Sequence, residues 1–191
     1  FLKGRTLAEI LGEQIRGKKA PVEALKAAID QVFGQAVLKK EPFTPTDQFK
    51  EVFGDSEEIL SLQDTSYEVS NIDGLFENLM ETQDGLYCLD YEWVFDFPIP
   101  EKFLKYRNLL YFYRRYEKVL NVKEEDLYAH FGITAEEQAV FDGMEKAFQS
   151  YVHDAGSFGY MKQYEQPTKT VEFLLDRESE LYKVKDWCEN L

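Results

Sequence analysis

Apolar residues recur at helical spacing over most of this chain, and alternate like a strand over only one short stretch. In "TLAEILGEQIRG" Leu7, Ile10, Leu11 and Ile15 form one stripe. Thr6 stands at the N-cap with Glu9 three residues on, the spacing of a capping box, and Gly17 is a natural stop. "PVEALKAAIDQVFG" predicts a second helix, with Pro21 in its first turn and Gly34 at its end. "TPTDQFKEVFG" predicts a third, short one. Residues 55–70 have no clear period: "DSEEILSL" suits a helical turn and "QDTSYEVS" a loop.

A hairpin follows, with strands near 79–81 and 86–91 around Gln83-Asp84-Gly85. It is the one clear β-element that the pattern predicts. After the extended, proline-bound "DFPIP", a long helix begins in "EKFLKYRNLLYFYRRYEKVL". Phe103, Tyr106, Leu110, Tyr113 and Leu120 are its expected core face, while Lys102, Lys105, Arg114 and Lys118 reach for water. "VKEEDLYAHFGIT" predicts a short helix closed by Gly132. Thr134 then caps a longer one, with Glu137 at the capping-box position.

"HDAGSFGYMKQYEQP" reads as a linker, and the chain turns helical again after Pro167. Val171, Leu174, Leu181, Val184 and Cys188 approximate a heptad seam, the start of a coiled coil or of a helix packed on the domain. The expected division is a domain over 1–166 and a terminal helix over 167–191. The fold class expected is mainly α with a small β-hairpin.

Composition narrows the function classes. The chain has 191 residues, 44% apolar and 15% aromatic, so it can bury a core. Its formal charge of −14 disfavours phosphate backbones and anionic lipid surfaces, so no nucleic acid is expected. No apolar run approaches the ~18–20 residues of a membrane span, so no membrane insertion is expected either. Two cysteines, Cys88 and Cys188, make no disulfide framework and suit a reducing, cytoplasmic setting. His130 and His153 make no zinc spacing with them. "AGSFGY" carries no lysine and is not a phosphate loop. The sequence opens at Phe1 in mid-pattern and is expected to be a piece of a longer protein.

The candidate chemistry lies in "NIDGLFENLMETQDGLYCLDYEW", residues 71–93. Asp73, Asn78, Asp90 and Glu92 stand there among apolar and aromatic residues, where a carboxylate must be paired or hold a cation. One reading keeps them structural: Asp73 bonding loop amides, Asn78 serving a turn, Asp90 and Glu92 pairing with a cation of the long helix such as Arg107.

The other reading follows from a resemblance. Asp73 and Asn78 in "DGLFEN", then a short hairpin, then Asp90 in "LDYEW", resemble the catalytic and magnesium motifs of the protein-kinase-like superfamily. The aminoglycoside and choline kinases are the most similar branch. "FLKGRTLAEIL" is similar to the segment that enters their C-terminal lobe. "VSNIDGLFENLM", "LDYEWVFDFPIPEKFLKYRNLLYFY" and "LYAHFGITAEEQ" resemble, further, a segment of large bacterial cell-surface polysaccharide proteins. In those, a methyltransferase domain is joined to a kinase-like segment, a coiled coil and often glycosyltransferase domains.

The resemblance implies a kinase-like C-terminal lobe with Asp73 as catalytic residue and Asn78 and Asp90 as metal ligands. It implies Mg²⁺ and ATP as cofactors. It leaves S-adenosylmethionine to a separate upstream domain, and implies other domains of the same polypeptide as partners, with self-association through the terminal helix. The chain departs from the pattern in carrying Asn71-Ile72 before Asp73, Leu75 two residues after it, and no glycine-rich loop or strand lysine. Phosphotransfer by this chain alone is therefore not expected. A non-catalytic helical interaction domain is the alternative from another class, and the C-terminal lobe of an active small-molecule or sugar kinase using Mg²⁺ and ATP is the second alternative.

Overall fold

The computed structural model describes residues 3–17, 20–34 and 39–155. The expected linker beyond 155 and the terminal helix over 167–191 lie outside the described residues. The chain divides into two compact units, Phe1–Ala147 and Phe148–Leu191. Of the second, the described residues 148–155 are the end of a helix.

Of the described residues 56% are helical and 14% are strand, so the unit is mainly α with small antiparallel sheets. Strand β1 (Arg5–Thr6) leads directly into α1 (Leu7–Arg16). The predicted capping box closes that start: Glu9 N–H donates to Thr6 Oγ1, and Thr6 N–H donates to Glu9 Oε2. Then come α2 (Pro21–Gly34), β2 (Lys40–Pro42), α3 (Asp47–Phe53) and the single turn α4 (Glu57–Leu60). The stretch read as loop instead forms β3 (Thr65–Tyr67) and β4 (Ser70–Asn71).

The hairpin is β5 (Leu79–Thr82) and β6 (Gly85–Cys88), joined by the two residues Gln83-Asp84. It is not the sole β-structure. β1 adds to β5 with Thr6 opposite Met80, β2 pairs β3, and β4 pairs β7 (Val94–Phe95). These pairs escape a periodicity argument because two or three residues are too few to show an alternation.

The long helix α5 (Glu101–Leu120) is the axis of the unit. Its Phe103, Tyr106, Leu110 and Leu120 are buried as expected, whereas Phe112, not Tyr113, turns inward. Aromatic contacts run continuously through it. Phe49 lies 4.9 Å from Phe53, Phe53 5.6 Å from Phe103, Phe103 5.7 Å from Phe141 and Tyr106 5.1 Å from Tyr128, centroid to centroid. Pairs at these separations add to their burial. α1 reaches α5 at Gly12, where an added Cβ would fall 2.5 Å from the Tyr116 ring. A side chain there would require the Tyr116 ring to shift.

α6 (Glu124–His130) has Phe131 at its C-cap and is followed by Gly132, whose φ of +71° suits glycine. α7 (Ala135–Ala155) begins with the predicted box, Glu137 N–H on Thr134 Oγ1 and Thr134 N–H on Glu137 Oε2. The effect of this frame is to set the loop between β4 and β5 directly against α5.

Candidate functional site

The loop runs from Asn71, in β4, to Asn78, just before β5. Residues with such short flanking strands need other hydrogen bonds to keep one shape, and side chains supply them. Asn71 begins an Asx turn, its Oδ1 accepting from Asp73 N–H at 2.9 Å. Asn78 closes the loop from the other end, its Nδ2 donating to the Asp73 carbonyl at 3.0 Å.

α5 holds the middle. Asn108 Oδ1 accepts from Phe76 N–H at 2.9 Å, and its Nδ2 donates to the Gly74 carbonyl at 3.1 Å. Arg107 Nη1 donates to the Ile72 carbonyl, and Nε donates to Glu145 Oε2 at 2.6 Å. α1 contributes as well, Ala8 N–H donating to the Phe76 carbonyl at 3.0 Å.

Asp73 is half-buried, and one of its oxygens, Oδ2, accepts from Trp93 N–H at 2.8 Å. Burial pushes its carboxyl above the usual range; the Trp93 N–H opposes this, the Asp90 charge adds to it and the Arg107 charge reduces it. Desolvation is thus the leading cause, and two carboxylates within electrostatic reach of each other come next. A carboxylate so placed is easier to protonate than one on an open surface.

Asp90 lies on the exposed stretch between β6 and β7. The turn there is braced by Cys88, whose thiol donates to the Asp90 carbonyl at 2.8 Å and accepts from Asn71 Nδ2 at 3.3 Å. Leu89 N–H donates to the Asn78 carbonyl at 2.7 Å, tying this stretch to the loop. These bonds and the effect of the Asp90 charge on Asp73 put Asp73, Asn78 and Asp90 in one neighbourhood; Glu92, like Asp90, is exposed. Among the described residues neither Asp90 nor Glu92 pairs with Arg107. That guanidinium goes inward to Glu145 and the Ile72 carbonyl; the Arg107 and Glu145 side chains are 3% and 8% exposed at their ion pair.

Mg²⁺ is the cation that the kinase-like resemblance implies. Among the described residues no three His, Cys, Asp or Glu side chains form a metal cage. The donors at hand are two carboxylates and one amide oxygen, all hard ligands. Asn78 spends its nitrogen on Asp73, which leaves its oxygen as the coordinating atom. Mg²⁺ commonly takes one or two carboxylates together with substrate phosphates. The donor types match those of a cation shared with a phosphate, and among the described residues they do not make a self-sufficient cage.

Asn71, Asn108 and Glu145 were not singled out in the sequence. Asn71 had a signal, its two-residue spacing to Asp73. Asn108 also had one, as an amide on the buried face of an aromatic helix, where a polar group must find partners. Glu145 had none, because its partner lies 38 residues away. Comparison with known proteins finds no family model, no curated protein and no solved structure that matches this chain.

Proposed function

We propose that the chain is a kinase-like C-terminal-lobe module of a multidomain bacterial enzyme of cell-surface polysaccharide assembly, unable to transfer phosphate by itself. The observation that carries this reading is the closed loop in which Asn78 bonds Asp73 while Asp90 stands close enough to raise the Asp73 carboxyl. Asp73 supplies an oxygen with a raised affinity for a proton, suited to accept one from a substrate hydroxyl. Asn78 and Asp90 supply hard oxygens for Mg²⁺, which when bound offsets charge on nucleotide phosphates. Trp93 N–H and the Asn71 turn keep Asp73 from rotating away.

Titrating Mg²⁺, then Mg²⁺ with ADP, into the ¹⁵N-labelled chain tests this. The expected result is a weak response confined to Asp73, Asn78, Asp90 and their neighbours, deepened by ADP and absent in Asp90→Ala. Phosphotransfer by the chain should be undetectable. No response at these residues would remove the site, and ATP hydrolysis abolished by Asp90→Ala would remove the claim of incompetence.

A second reading, a non-catalytic interaction domain, has one observation in its favour. Leu89, Tyr91 and Val94 expose 43%, 67% and 46% of their surface around Asp90. Exposed apolar groups so close together suit contact with another domain of the polypeptide. Under this reading the same titration leaves the loop unchanged.

A further inference from the structure

Main-chain bonds hold the stretch 88–93 to the Asp73 loop near both of its ends. Leu89 N–H donates to the Asn78 carbonyl at 2.7 Å, and Ile72 N–H donates to the Trp93 carbonyl at 3.1 Å. Between them runs a further attachment made by two side chains, Asn71 and Cys88. Asn71 Oδ1 accepts from Asp73 N–H at 2.9 Å, while its Nδ2 donates to Cys88 Sγ at 3.3 Å. The Cys88 thiol in turn donates to the Asp90 carbonyl at 2.8 Å. A continuous clip thus joins the main chain of Asp73 to that of Asp90.

The last of these bonds carries the most weight for Asp90. That residue is exposed, as are Tyr91 and Glu92 after it. Among the described residues, the bond from the Cys88 thiol is the only hydrogen bond that Asp90 makes. Exposed backbone with so few bonds opens readily once one is lost. A ligand that must be ordered at the moment of binding lowers affinity, so a site works best when its donors are already held in place.

We propose that Asn71 and Cys88 are positioning residues of the Mg²⁺ site, the Cys88 thiol fixing Asp90 relative to Asp73 and Asn78. The inference rests on the cation reading given above. Neither side chain is a ligand in it: Asn71 spends its oxygen and its nitrogen within the clip, and Mg²⁺ favours oxygen over sulfur.

The thiol acts here as one donor and one acceptor. A serine hydroxyl offers both functions, and alanine offers neither. In the metal-free, ¹⁵N-labelled chain, Cys88→Ala should displace the Asn71 side-chain amide signal and lower the ¹H–¹⁵N heteronuclear NOE of Asp90. Leu89 should keep its NOE, because Asn78 still holds it. With ADP present, Cys88→Ala should bind Mg²⁺ about fivefold more weakly than the parent, the worth of one net hydrogen bond. Cys88→Ser should restore the Asp90 NOE and bring the affinity back to within about twofold of the parent. Lost packing alone would not be mended in this way, since serine is smaller and more polar than cysteine. If the parent binds Mg²⁺ and Cys88→Ala binds it equally well, or serine does not mend the loss, the positioning role is overturned and the cation reading stands. No response of the parent at Asp73, Asn78 and Asp90 overturns both.

Discussion

Asp73 shows how one side chain can be held by the main chain and still be electrostatically uncomfortable. Its Oδ2 is fixed by Trp93 N–H, yet burial and then the charge of Asp90 disfavour ionisation. A carboxyl raised in the folded state binds its proton more tightly there than in the unfolded chain. Its favourable contribution is present at low pH and is lost as pH rises through the folded value. Asp73→Asn keeps an acceptor for Trp93 without the charge. At pH 7 that variant should be at least as stable as the parent, and its advantage should shrink as pH falls through the acid range. Urea midpoints for both chains from pH 7 to pH 3 measure this. An advantage that grows toward low pH would show that Asp73 is not raised. Asp90→Asn should move the Asp73 titration toward the ordinary carboxylate range, because it removes the like charge.

At the scale of elements, α5 does two tasks: its aromatic residues form the core, and its Arg107 and Asn108 hold the loop. Arg107 and Glu145 form a buried ion pair, and Tyr111 also donates to Glu145 at 2.6 Å. Removing one partner leaves the other charged and buried. Glu145→Ala should cost about 3–5 kcal/mol. Replacing both, Arg107→Met with Glu145→Leu, should cost less than Glu145→Ala, though Ile72 still loses its donor. Denaturant unfolding of the two variants decides, and a double variant less stable than the single one would refute the buried-pair account. The same helix shows what sequence can convey. Its start after Pro100 and part of its buried face, Phe103, Tyr106, Leu110 and Leu120, follow from period and punctuation, since those signals are local. The same holds for both capping boxes and for the hairpin turn. The two-residue strands β1, β4 and β7 are set by partners dozens of residues away, and so is the choice of Glu145 over Asp90 for Arg107. The candidate site was legible as a set of residue types; its fastening by Asn71, Asn108 and Trp93 N–H was largely a tertiary fact.

At the scale of the whole molecule, the charge of −14 works against any contact between two copies. Some of the acids are neutralised internally: Glu101 accepts from Lys40 at 2.7 Å and Lys105 at 2.5 Å. Burial alone would push Glu101 up, but the two ammonium groups outweigh it and hold it below the usual range. Most other acids among the described residues face water, where salt screens them over about 8–10 Å. Adding salt should therefore raise thermal stability and favour association, provided a contact surface exists. The surface that the sequence pattern suggests is the heptad-like segment after Pro167. A helix of about 20 residues is marginal alone and needs a partner. That segment carries both signs, Lys169, Arg177, Lys183 and Lys185 against Glu172, Asp176, Glu178, Glu180, Asp186 and Glu189, so deleting it takes the formal charge only from −14 to about −12 and leaves most of the repulsion in place. Sedimentation of the full chain and of one ending at Pro167, each at low and high salt, isolates the helix from the charge. The full chain should dimerise, more so at high salt, and the shortened one should stay monomeric at both. Equal behaviour of the two chains would remove self-association through the tail and leave other domains of the polypeptide as its partner.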